Sequence, residues 1–186
     1  ASASIGLVSS TTWMFGGVAF AAITGFTVQV AHAIGAKDLL HARNIMKQGF
    51  IVGEIFVFIL MIIGVSISFQ LPIWLKGTES IQYAASMYFL FFALFLPFQQ
   101  LNYLATGMVQ ASGTMKIPSL LNICMCFLDV VFNLFFIFYM DLGVMGASIG
   151  TGCSQLVISL CLCAFLFFKS DSLSLHKNEK MSWEQD

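Results

Sequence analysis

Charge is what this sequence has least of. Only 9% of its 186 residues are charged, against about 25% in an ordinary soluble domain. With 59% hydrophobic residues and 20 phenylalanines, that scarcity excludes a soluble globule, because surface-to-volume scaling leaves roughly a third of such a chain facing solvent. The net charge of −1 argues against a nucleic-acid partner. Catalytic constellations are also missing: there is no HExxH and no pair of aspartates, and His32 and Asp129 fall at different depths. The chain reads as a non-enzymatic integral membrane protein without a bound metal.

Cysteine occurs, but not in ligand spacing. Cys124, Cys126, Cys153, Cys161 and Cys163 all lie in apolar runs. Residues two apart on a helix point nearly opposite ways, so neither Cys-x-Cys pair converges on a metal. They read as small buried hydrophobes. The opening ASASIGL has no basic stretch ahead of a cleavage site and does not read as a signal peptide.

Apolar length is what the chain does have. A bilayer core takes about 20 apolar residues per helix, and five segments reach it, at about 11–35, 49–69, 81–103, 117–140 and 144–168. They predict an all-α, polytopic bundle over residues 1–168, followed by a polar tail or linker, KSDSLSLHKNEKMSWEQD, at 169–186. Lys37, Arg43, Lys47, Lys116, Lys169, Lys177 and Lys180 fall on one side of this layout and only Lys76 on the other. The positive-inside rule places the first side, with the tail, in the cytoplasm. The N-terminus then starts outside, which leads us to expect a helix ahead of this chain.

Small residues punctuate the first and fifth segments: Gly16, Gly17 and Gly25 in one, and Gly146, Ala147, Ser148, Gly150 and Gly152 in the other. They predict close helix packing in lipid. Pro97, inside the third segment, removes a backbone hydrogen bond and predicts a hinge. Glu54 falls one to two turns into the second segment from its cytoplasmic end, and His32 near the cytoplasmic end of the first. Both suggest interfacial or packing roles.

The sharpest anomaly is Asp129, residue 13 of the 24 in Ile117–Met140. At that depth an aspartate costs roughly 2.5 to 3.5 kcal/mol and should face protein or water. Asn122, Cys126, Asp129 and Asn133 share one helix face. Counting outward from Leu142, Asn133 and Thr151 each lie nine residues away, and Asp129 and Gln155 each thirteen. At about 1.5 Å per residue these pairs match in depth. They predict two polar rungs, Asn133/Thr151 and Asp129/Gln155, with Ser148, Thr151 and Gln155 sharing one helix face. Such rungs serve either as packing hydrogen bonds or as an ion site.

Three stretches together resemble the multidrug and toxic compound extrusion family of secondary transporters: VAHAIGAKDLLHARNIMKQG (30–49), LPFQQLNYLATGMVQASGTMKIP (96–118), and NICMCFLDVVFNLFFIF with DLGVMGASIGT (122–151). They occur in the family's order and near its spacing. His32, Gln110 and Thr114 depart from the usual Gln, Arg and Asp. The family's Asn-x-x-x-Asp is reversed to Asp129-x-x-x-Asn133.

The resemblance implies helices two to six of one six-helix lobe in a twelve-helix, two-lobe fold. The first helix and the C-terminal lobe would be the partners of this chain, and the tail would be the inter-lobe linker. It implies a cell-membrane antiporter that exports amphipathic, often cationic, organic compounds in exchange for H⁺ or Na⁺. Asp129, Asn133 and Thr151 would bind the coupling cation, with Gln155, Ser148 and Asn122 supporting it or the substrate. Two alternatives stay open: a lipid-linked oligosaccharide flippase of the same broad superfamily, and an inactive partial chain. The absence of lysine and arginine from the helices counts against the flippase.

Overall fold

The computed structural model describes residues 2–75 and 79–168, all helical apart from connectors. The order is α1 Ser2–Gly35, α2 Leu39–Ile67, a single turn α3 Leu71–Trp74, α4 Glu79–Ala111, α5 Lys116–Leu134 and α6 Gly143–Phe168. A π-helical turn, Phe135–Tyr139, extends α5. Five of these helices are long and apolar enough to cross a membrane. Lys76 and the tail from 169 lie outside the described residues.

Every helix begins at or before the position that hydropathy suggested, and the largest change is in α2. Its apolar run starts near Gly49, yet the helix starts at Leu39. Asp38 sets that start: its carboxylate accepts the backbone N–H of His41 at 3.0 Å, a cap that stabilises a helix by about 1 kcal/mol. Arg43 and Lys47 therefore stand on α2 rather than in a connector, and Arg43 is buried. Glu54 becomes the sixteenth of 29 residues. It sits mid-helix, not one to two turns from an end as the hydropathy suggested.

The turns are equally local in origin. Lys37, with φ of 62°, closes α1, and Gly113, with φ of 85°, separates α4 from α5. Between α5 and α6 the chain reverses through Asp141 and Gly143, both at φ 53°. Glycine carries such a conformation without a Cβ penalty.

The buried centre of the bundle is α4, which packs against α1, α2 and α6. Near one end, Ile23, Val30, Met46, Leu104 and Met108 form one core. Near the other, Phe15, Val57, Phe89, Ala93 and Leu96 form a second, with the Phe15 and Phe89 rings edge-to-face at 5.6 Å. A third joins Ala105 of α4 to Ile158 and Leu162 of α6. α5 packs chiefly along α6 and leaves its other faces exposed.

Small residues explain part of this packing. A Cβ on Gly146 would stand 2.9 Å from the Phe136 carbonyl carbon, one on Gly150 3.0 Å from the Asn133 nitrogen, and one on Gly152 inside the Phe95 ring. Gly16, Gly17 and Gly25 of α1 differ, since nothing lies within 4 Å of their Cβ positions. The close-packing expectation therefore holds for α6, while within this chain the α1 glycines touch no neighbour. The cysteines also depart from expectation: Cys124, Cys126 and Cys161 are exposed. A thiol behaves as a small apolar group, and these sit on faces where apolar neighbours are exposed as well.

Candidate functional site

α5 carries Asp129 as the fourteenth residue of the 24-residue span Lys116–Tyr139. Both Asp129 and Asn133 are half-buried and turned toward α6. The residue facing Asp129 is Ser154, whose Oγ stands 3.5 Å from Asp129 Oδ1. That hydroxyl donates to the Thr151 carbonyl at 2.8 Å and, at the longer 3.5 Å, toward Asp129 Oδ1. Asn133 abuts Gly150, and its Oδ1 is buried without a hydrogen-bond partner. Asp129, Asn133 and Ser154 thus bring a carboxylate, an amide oxygen and a hydroxyl to one stretch of the α5–α6 seam.

The two rungs read from the sequence are each displaced by one residue. Asp129 meets Ser154 rather than Gln155, and Asn133 meets Gly150 rather than Thr151. Counting from a turn gives depth to within about 1.5 Å but says nothing of azimuth, and one residue turns the helix by about 100°. Thr151, Gln155 and Ser148 instead face α4. With Tyr88, Phe92, Phe95 and Gln99 they line a cavity of about 120 Å³. Asn122 lies seven residues, or about 10 Å, from Asp129 toward the start of α5 and is not brought to the site.

A wider cavity of about 460 Å³ adjoins the first and shares Tyr88, Phe92 and Gln99 with it. Trp13, Phe20 and Tyr103 complete its aromatic wall, and Gly16 and Gly17 form its floor. The α1 glycines thus leave open space where packing was expected. Gln99 Nε2 donates to Tyr103 Oη at 3.3 Å across one turn of α4. Asp129 lies within electrostatic reach of Tyr88, which links the seam to the cavity wall.

The model of the MatE family matches residues 1–135. The chain belongs to the MatE family. Solved structures show the same fold. One, described as the inward-facing conformation of a multidrug resistance MATE family transporter of the MOP superfamily, has a TM-score of 0.83 at 24% identity, covering 92% of this chain and 39% of that one. A crystal structure of MATE in complex with MaL6 has a TM-score of 0.86 at 23% identity, covering 92% and 38%. A MOP superfamily transporter from Pyrococcus furiosus Vc1 (DSM3638), whose description speaks of reverse polarity of the binding pocket, has a TM-score of 0.83 at 24% identity, again covering 92% and 38%. This MatE chain thus spans about two fifths of the solved transporters it resembles. No curated relative matches it.

Several polar residues of this MatE chain escaped the sequence reading. Ser154 was passed over for Gln155. Asn102, 3% exposed, donates to Met125 Sδ of α5 at 3.2 Å, and Gln99 lines both cavities. Their signal was the run QQLN inside a membrane helix. Gly146-Ala147-Ser148-Ile149-Gly150 formally fits Gly-x-Ser-x-Gly, but it lies inside α6 rather than on the strand-to-helix elbow that the nucleophile motif requires. Ser148 Oγ there donates to the Met145 carbonyl at 3.0 Å. Pro97 is buried within α4, which continues through it. His32 is exposed near the end of α1, beside a surface depression of α1.

Proposed function

We propose that this chain is the helical part of a cation-coupled exporter of amphipathic, often cationic, organic compounds, resident in the cell membrane with its C-terminal tail in the cytoplasm. The observation that carries the proposal is Asp129. It is an ionisable group at mid-membrane, facing Ser154 of a neighbouring helix and one turn from the buried, unpartnered oxygen of Asn133. Ionisable residues in such positions mark ion pathways. H⁺ or Na⁺ held by Asp129, with Asn133 and Ser154 as further oxygen donors, would be the coupling ion.

The substrate reading rests on the aromatic cavity next to that seam. Trp13, Phe20, Tyr88, Phe92 and Tyr103 supply faces that attract an organic cation, and Gln99, Thr151 and Gln155 supply polar contacts. No lysine or arginine occurs in α4, α6 or residues 2–35, which suits a cationic substrate and disfavours a pyrophosphate-linked one. MatE proteins are transporters, and a transport role accounts for these features without catalysis. The first helix and C-terminal lobe seen in the family would complete the cavity.

Asp129→Asn tests the coupling role. In vesicles containing the full-length protein and an ion gradient, the variant should lose uphill export of an organic cation by at least tenfold while still binding it. Export that stays undiminished and still depends on the ion gradient would remove Asp129 from the coupling site.

A further inference from the structure

Glu54 and Gln100 take no part in the seam described above. Glu54 sits mid-helix in α2, and its Oε1 is buried without a hydrogen-bond partner. Gln100 of α4 is 0% exposed, and both polar atoms of its amide are likewise unpartnered. Gln100 reaches across to α2 at Gly53, the residue before Glu54: its Nε2 lies 3.6 Å from where a Cβ on Gly53 would stand, and it makes no hydrogen bond to the carboxylate. Toward α6, Glu54 is within electrostatic reach of Cys163.

Among the described residues no cation stands beside this acid. α4, α6 and residues 2–31 of α1 contain no lysine, arginine or histidine. Along α2 the nearest cation is Lys47, exposed and about 10 Å nearer the helix start. Tyr103 of α4, also titratable, is exposed and packs on Phe20 of α1. An ionised carboxylate buried without a partner is strongly disfavoured. Unsatisfied buried amides are rare enough to call for an explanation. One added cation answers the two unpartnered oxygens: a proton on Glu54 can be donated to the Gln100 carbonyl, and Na⁺ can be shared between the two oxygens.

We propose that Glu54 and Gln100 form a second monovalent-cation site, separate from Asp129, that holds a proton or Na⁺. Neighbouring residues of α4 serve the two sites, since Gln99 lines the cavity with Thr151 and Gln155 while Gln100 faces α2. Phe95, which packs on Gly152, and Gln100, which packs on Gly53, are five residues apart, or about 8 Å along the helix. A cation held at Glu54 therefore sits close enough to bear on the coupling seam without belonging to it.

Infrared difference spectra of the full-length protein in lipid vesicles, recorded through an acid–base titration, report buried carboxyl groups directly. A protonated carboxyl band should persist in Asp129→Asn and disappear in Glu54→Gln. Gln100→Met, similar in volume, should shift that band because its acceptor is gone. Adding Na⁺ at constant pH erases the band if Na⁺ is the occupant and leaves it if the proton alone binds. A band that vanishes entirely with Asp129→Asn, or one that Gln100→Met leaves unmoved, overturns the proposal. If Glu54→Gln does not fold, the Gln100→Met spectrum decides. The transport assay of Asp129→Asn tests the other seam independently.

Discussion

Ser154 Oγ donates to the Thr151 carbonyl at 2.8 Å and toward Asp129 Oδ1 at 3.5 Å, so its oxygen stands where a cation held by the carboxylate would meet it. Hydrogen bonds to charged groups contribute about 1.5–3 kcal/mol, and 1.4 kcal/mol is tenfold in an equilibrium constant. Ser154→Ala should therefore weaken the apparent affinity for the coupling ion about tenfold, read as the half-saturating H⁺ or Na⁺ concentration for export. Gln155→Leu should instead alter which organic cations are exported and leave ion dependence within about twofold, because Gln155 lines the cavity. Reversal of the two phenotypes would restore the pairing that depth alone suggested. At this scale the sequence revealed Asp129 and Asn133 as one face, because helical spacing fixes faces within an element. It could not assign partners across the hairpin, because rotation of α6 about its own axis depends on packing at Gly146, Gly150 and Gly152.

Elements were legible in kind and number: five apolar runs became five spanning helices. Their ends were less so, since hydropathy marks what lies in lipid and not where hydrogen bonding stops. The segment 39–48 is polar enough to read as a connector, yet Asp38 caps it and the helix runs on. That extension makes Glu54 the sixteenth of 29 helical residues while leaving its distance from the start of the apolar run at Gly49 unchanged. The glycines show the same division. Gly150→Leu would drive a side chain into Asn133 and part α5 from α6, an overpacking cost of about 1–3 kcal/mol. Thermal unfolding in detergent should come several degrees earlier than in the parent protein. Gly16→Ala meets nothing within 4 Å and gains helix propensity of roughly 0.5–1 kcal/mol, so it should unfold no earlier. If both variants unfold alike, small-residue packing does not hold the α5–α6 hairpin together.

For the molecule as a whole, the bundle superposes equally well, with a TM-score of 0.83, on structures described as inward-facing and outward-facing. The five-helix fold is thus common to both descriptions, and which end faces which compartment must come from charge. The α1–α2 and α4–α5 connectors share one end, as the packing of Gly49 on Met108 requires, and Lys37, Arg43, Lys47 and Lys116 cluster there. The α5–α6 turn lies at the opposite end. Lysine and arginine are retained on the cytoplasmic side of short connectors, so the exposed residues His41 and Met140 should lie on opposite sides of the membrane. With the five native cysteines replaced, a membrane-impermeant thiol reagent should label Met140→Cys in intact cells. His41→Cys should be labelled only after the membrane is opened. Labelling of His41→Cys from outside would invert the topology.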